Sequence, residues 1–165
     1  MAGMDQMHLL HREIVGFIKW CTRPSIPLPH WCKAGRPVVP LIFVIAADLL
    51  QAAINDAFRQ GKIQLPFPCA GQMDYPVIQY ADDTILAMPA CPQQAAVIKG
   101  ILVDYASSIS LRINFRKSML IPINLSDETA LAFANFFGCS VGSMPFTYLG
   151  LPLGTTRASI QEFLP

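Results

Sequence analysis

The chain carries little charge and almost no charge imbalance. Asp, Glu, Lys and Arg make up 14% of its 165 residues, and the formal net charge is +1. Free-standing nucleic-acid binders are usually far more basic, so charge alone names no polyanionic partner. Its five cysteines, Cys21, Cys32, Cys69, Cys91 and Cys139, include no Cys-x-x-Cys pair. An odd count without paired spacing argues against a zinc site and a disulfide framework. No disulfide partner and a reduced, intracellular setting are therefore expected, with nucleus and cytoplasm not distinguished. No apolar run approaches the roughly 20 residues of a membrane span. The longest, Val38 to Ala47, is interrupted by Pro40 and closed by Asp48. The opening residues, Met1-Ala2-Gly3-Met4-Asp5-Gln6, lack a basic stretch followed by an apolar core. No signal peptide and no membrane partner are expected. Internal repeats and low-complexity segments are absent too.

What is present is an apolar chain, 53% hydrophobic, of about one domain's length. That composition excludes a disordered chain. Leu9, Leu10, Ile14, Phe17 and Ile18 fall near helical spacing and predict a helix over His8 to Trp20. Three prolines between Thr22 and Pro29 require an extended or turned segment. A helix is expected from Pro40 to Gly61. Asp48, Gln51, Asn55 and Arg59 form one polar stripe along it, and Leu41, Ile45, Leu49 and Ile54 cover the rest. Gly61 can end that helix, and a loop follows to Tyr75.

The next run, Val77-Ile78-Gln79-Tyr80-Ala81-Asp82-Asp83-Thr84-Ile85-Leu86, sets two carboxylates between two β-prone segments. It reads as a tight hairpin with the acids at its tip, and Pro89 stops its second strand. Pro92 suits the first turn of a second helix, lined by Ile98, Ile101, Leu102, Tyr105 and Ile109. Leu111 to Phe115 alternates apolar and polar residues, as a half-buried strand does. Met119 to Ile123 predicts a shorter strand weakened by Pro122. Ser126 is a good N-cap for a third helix, with Asp127 and Glu128 in its first turn and Gly138 at its end. Phe146 to Leu149 predicts a last short strand. Interleaved helices and strands around a mostly antiparallel sheet make the class α+β.

Adjacent carboxylates repel unless a cation neutralises them. Mg²⁺ prefers hard oxygen ligands, commonly one or two carboxylates with substrate phosphates. Two-metal phosphoryl transfer uses such a site to activate an attacking hydroxyl and stabilise the departing pyrophosphate. The plain alternative makes Asp82 and Asp83 solvated turn residues, since Asp is common in turns.

Four segments, in order, extend the pattern. They are Gly35-Arg36-Pro37-Val38-Val39-Pro40-Leu41-Ile42-Phe43, Gln79-Tyr80-Ala81-Asp82-Asp83-Thr84, Leu111-Arg112-Ile113-Asn114-Phe115-Arg116-Lys117-Ser118, and Gly138-Cys139 with Pro145 to Gly154. Together they resemble the reverse transcriptase of plant non-LTR (LINE-type) retrotransposons, collinearly from about Trp31 onward. The resemblance divides the chain into an unassigned segment, 1–30, and a partial palm domain, 31–165. It implies an incomplete polymerase palm, an antiparallel sheet with a catalytic hairpin packed on helices, with fingers and thumb absent. Its implied reaction adds deoxynucleotides to a primer 3′-hydroxyl on an RNA template. The implied partners are RNA template, DNA primer and deoxynucleoside triphosphates, and the implied cofactor is Mg²⁺.

The resemblance assigns roles position by position. Asp82 and Asp83 would be the metal ligands and catalytic carboxylates. Lys117 would lie near the triphosphate as a proton donor to pyrophosphate; its plain alternative is an exposed strand-end lysine. Gly35 and Arg36 would lie against template and nucleotide, and Tyr148, Leu149 and Gly150 would shape the primer grip. Asn114 would fix a local turn rather than touch substrate. The chain departs from the pattern at Ala34, Arg36 and Val39, where the family has glutamine, aspartate and serine. Ser110 stands where a glycine is usual. Nothing before Trp31 resembles the upstream strand that brings a further aspartate to the hairpin. The expectation is a reverse-transcriptase fragment inactive as this chain. The alternatives are a non-catalytic retrotransposon remnant or a small interaction module on the same fold.

Overall fold

The computed structural model describes residues 14–18, 22–24, 38–67, 74–80, 83–109 and 111–154. Strand β1 (Ile14–Ile18) lies at the centre of a five-stranded sheet. Helix α1 (Val38–Arg59) follows, then the hairpin β3 (Val77–Tyr80) and β4 (Asp83–Pro89). Helix α2 (Pro92–Ser108) leads on to β6 (Met119–Ile123), helix α3 (Asp127–Phe137) and β7 (Ser140–Val141). The sheet order is β3-β4-β1-β6-β7. All pairings are antiparallel except β6 with β7. With α1 and α2 as crossovers, β1 to β6 form a split βαβ arrangement. Two small ribbons complete the fold. Strand β2 (Thr22–Pro24) pairs with β5 (Leu111–Ile113), and β8 (Phe146–Tyr148) pairs with β9 (Leu151–Leu153).

The α+β class and the mostly antiparallel sheet agree with expectation. The helix predicted over His8 to Trp20 does not: its Ile14–Ile18 stretch is the strand β1. Ile, Val and Phe favour strands, and a short apolar run cannot be told from a helix by spacing alone. Backbone pairing on both sides settled it, with Ile18 opposite Ile85 on one flank and Met119 on the other. The remaining residues of that predicted helix lie outside the described ones.

The core lies between the sheet and the helices. Along β4, Thr84, Leu86 and Met88 are buried, while Asp83, Ile85 and Ala87 are half-buried on the opposite face. Helix α1 presents Leu50, Ile54 and Ala57 to the core, and α2 presents Ala95, Ile98 and Leu102. Helix α3 adds Ala130, Phe133, Ala134 and Phe137. Its ends follow the predicted chemistry. Ser126 Oγ accepts the Thr129 N–H at 3.3 Å, and Gly138 closes the helix with φ of 82°, a left-handed conformation that glycine adopts without penalty.

Three further expectations are corrected. Ile45 and Leu49 do not face inward; they are 52% and 53% exposed, and the buried line runs through Ala46, Leu50 and Ile54 instead. The strand predicted over Leu111 to Phe115 stops at Ile113, because Phe115–Lys117 winds into a 3₁₀ turn. Met119–Ile123 is a longer, interior strand despite Pro122. Leu120 C=O accepts the Gly142 N–H from the β7 side, and Ser118 C=O accepts the Ser140 N–H there. Pro122 has the same parity, so its missing N–H points to the flank that β7 has already left, and no ladder bond is lost.

Tyr75, just before β3, is fully buried with its ring edge-on to Phe58 at 6.0 Å. Among the described residues its hydroxyl has no hydrogen-bond partner, and burial raises its pKa. A buried hydroxyl without a partner costs stability. Tyr75→Phe should therefore leave stability unchanged or raise it by about 1 kcal/mol, whereas Ile54→Ala should cost about 2–5 kcal/mol. Urea denaturation measures both, and equal losses would show that the Tyr75 hydroxyl has a partner.

Candidate functional site

Strands β3 and β4 are joined by two residues, Ala81 and Asp82, with Tyr80 directly opposite Asp83. The acidic run thus forms the tight hairpin its sequence predicted. Asp83 is the first residue of β4 and is half-buried. Asp82, the other predicted ligand, lies outside the described residues, as do Gly35 and Arg36.

Register brings Lys117 to the same end of the sheet. Ile85 pairs with Ile18, and Ile18 with Met119. Asp83 and Lys117 each stand two residues beyond that rung, on strands separated only by β1. Lys117 is exposed at the end of the 3₁₀ turn. Asn114 accepts the Lys117 N–H through Oδ1 at 3.3 Å, the turn-fixing role expected of it.

Tyr148 completes the group. The β8–β9 ribbon turns through Leu149 and Gly150, at φ of 52° and 82°. Two consecutive left-handed residues make a type I′ hairpin turn, for which glycine is suited and leucine is strained. The turn stands Tyr148 at the acidic hairpin. Burial of its hydroxyl raises the phenol pKa first, and the nearby Asp83 and Tyr80 raise it further. The Tyr148 hydroxyl is covered and has no hydrogen-bond partner among the described residues. Leu149 is half-exposed at the ribbon tip.

The strand beside the hairpin was not expected at all. It is β1, reading Ile-Val-Gly-Phe-Ile, next to β4 in the sheet. That strand carries no carboxylate. Among the described residues no group of three His, Cys, Asp or Glu converges. Cys139 offers no thiolate there, since burial pushes its thiol up to about 11.

Sequence reasoning missed a second feature. The polar stripe of α1 is solvated at Asp48 and Arg59 but not at its middle, where Asn55 is buried. Gln51, Asn55 and Arg59 all reach the segment that leads into β3, at Asp74 and Tyr75. The signal was there, as polar residues three or four apart on an otherwise apolar helix. Its target was not legible.

The chain matches no protein-family model and no curated protein.

The Tyr148 phenol, raised above the ordinary 10.0, should titrate late when followed by ¹³Cζ resonances. Asp83→Asn removes a negative neighbour and should lower the midpoint, and an unmoved midpoint would show that the two groups do not meet. The linked stability is complete below the unfolded value of about 10 and is lost as pH rises from there through the higher folded value, because the folded state resists phenolate formation.

Proposed function

We propose that the chain is the palm portion of a reverse transcriptase of the non-LTR retrotransposon type, without nucleotide-transfer activity by itself. One observation carries the reading. Two residues, Ala81 and Asp82, link β3 to β4, which opens with Asp83, and the two strands are the outer pair of a sheet ordered β3-β4-β1-β6. The four collinear segments of sequence support the same reading.

Asp82 and Asp83 supply hard oxygens suited to one Mg²⁺ ion, which would neutralise their mutual repulsion and ligate triphosphate oxygens. Lys117, at the same end of the sheet, would offer its charge to the phosphates. The Leu149–Gly150 turn would carry the primer end, with Tyr148 packed behind it toward Asp83. The donor set is too small for two metals. Two-metal transfer needs a further carboxylate from the neighbouring strand, and Ile14–Ile18 has none. Losing one such ligand costs several kcal/mol of transition-state stabilisation. This favours a non-catalytic palm over a working polymerase.

Purified chain should give no template-directed incorporation on an RNA template with DNA primer, deoxynucleoside triphosphates and Mg²⁺. Incorporation that disappears in Asp82→Ala would overturn the inactive reading. The palm reading has its own test. Mn²⁺, titrated as a paramagnetic substitute for Mg²⁺, should broaden amide resonances at Asp82, Asp83 and Thr84 with an affinity on the order of millimolar. Asp82→Asn should remove the effect. Broadening centred on other carboxylates would sink the assignment of the hairpin as the metal site.

A further inference from the structure

We propose that Asn55 is a positioning residue for the acidic hairpin. It pins the backbone ahead of β3 to helix α1 and so steadies the hairpin whose second strand opens with Asp83. The metal half of this inference rests on the reading above; the pinning does not.

Strand β3 is the outer edge of the sheet and pairs only with β4. Its four residues therefore have one flank without a strand partner. A short edge strand held on one side is prone to slip, and a slip of one residue turns every side chain to the other face. Tyr80 and the acids would turn with it. The two-residue link to β4 favours one register, and a hold on the backbone ahead of β3 would keep the far end of the strand in it.

Asn55 meets that need with its whole amide. The residue is only 6% exposed. Its Oδ1 accepts the Tyr75 N–H at 2.8 Å and a Gln51 Nε2 hydrogen at 3.1 Å. Its Nδ2 donates to Asp74 Oδ1 at 2.9 Å. Gln51 Nε2 also donates to the Tyr75 carbonyl at 3.0 Å. Both backbone polar groups of Tyr75 are thus held by side chains of α1, two residues before β3 begins. The buried Tyr75 ring anchors the same point to the core. Arg59 stands 3.9 Å from Asp74, but both are well exposed and the pair adds little. Among the described residues, all side-chain hydrogen bonds reaching 74–80 from elsewhere in the chain come from Gln51 and Asn55.

The chemistry is specific to an amide. Leucine has nearly the shape of asparagine but would leave the Tyr75 N–H unpaired. Aspartate could accept from Tyr75 and Gln51 but would repel Asp74. A simple packing role would need neither donor nor acceptor, and burying an amide without partners is costly.

The test compares amide hydrogen exchange and Mn²⁺ broadening in four variants of the full chain. Asn55→Leu should speed exchange at Ile78 and Ile85 about tenfold more than at α3 amides, which report global opening. Its Mn²⁺ affinity at the hairpin should fall several-fold. Asn55→Asp should show the same pattern. Asn55→Asp with Asp74→Asn should restore both readouts, because the exchanged pair recreates donor and acceptor. Gln51→Met, which removes the bond to the Tyr75 carbonyl, should give a smaller change of the same sign and keeps the test alive if Asn55→Leu does not fold. Exchange that rises equally in the hairpin and in α3, or a double variant without rescue, would overturn the inference. Wild-type chain without Mn²⁺ broadening at the hairpin would overturn its metal half alone, since exchange still reports the pinning.

Discussion

Two-sided backbone pairing of a five-residue strand holds the structure together. β1 joins the β3–β4 hairpin on one flank to the β6–β7 pair on the other. Without it the sheet would fall into two-stranded pieces, and such pieces are marginal in water. The same pairing aligns the ends of β4 and β6, which is how Asp83 and Lys117, 34 positions apart in sequence, come to one edge of the sheet. β4, which opens with Asp83, is held because the strand beside it is paired on both sides.

That edge collects groups from three parts of the chain. Asp83 begins β4, Lys117 ends the 3₁₀ turn before β6, and Tyr148 arrives on the β8–β9 ribbon. Register sets Asp83 and Lys117 at one end of an otherwise apolar sheet. Apolar packing beneath it, through Leu86 and Leu120, supplies the rigidity that end needs. Strand β1 adds no carboxylate to that end of the sheet.

Helix α1 adds a second constraint from behind. Its buried line of Leu50, Ile54 and Ala57 packs the core, and its polar stripe holds the backbone that enters β3. One helix thus presents two chemically distinct faces to one protein interior. The exposed Ile45 and Leu49 follow from this division, because a helix that turns both a core line and a polar line inward leaves other apolar positions outside.

Local chemistry made much of this legible in the sequence. Ser126 and Gly138 bound a helix because capping needs only nearby residues, and the Asp82-Asp83 hairpin declares itself by a turn between two β-prone runs. Asn114 fixes its turn through a neighbour three residues away. What the sequence could not decide was everything that depends on a distant partner. Ile14–Ile18 is a strand because β4 and β6 complete its hydrogen bonds, and Asn55 is buried because Asp74 and Tyr75 satisfy its amide. A residue's propensity is a property of the residue, whereas the satisfaction of a buried polar group is a property of whatever the fold brings against it. The sequence therefore determined the elements and the acidic turn, and the tertiary structure alone decided which strand stands beside that turn and which side chains hold it.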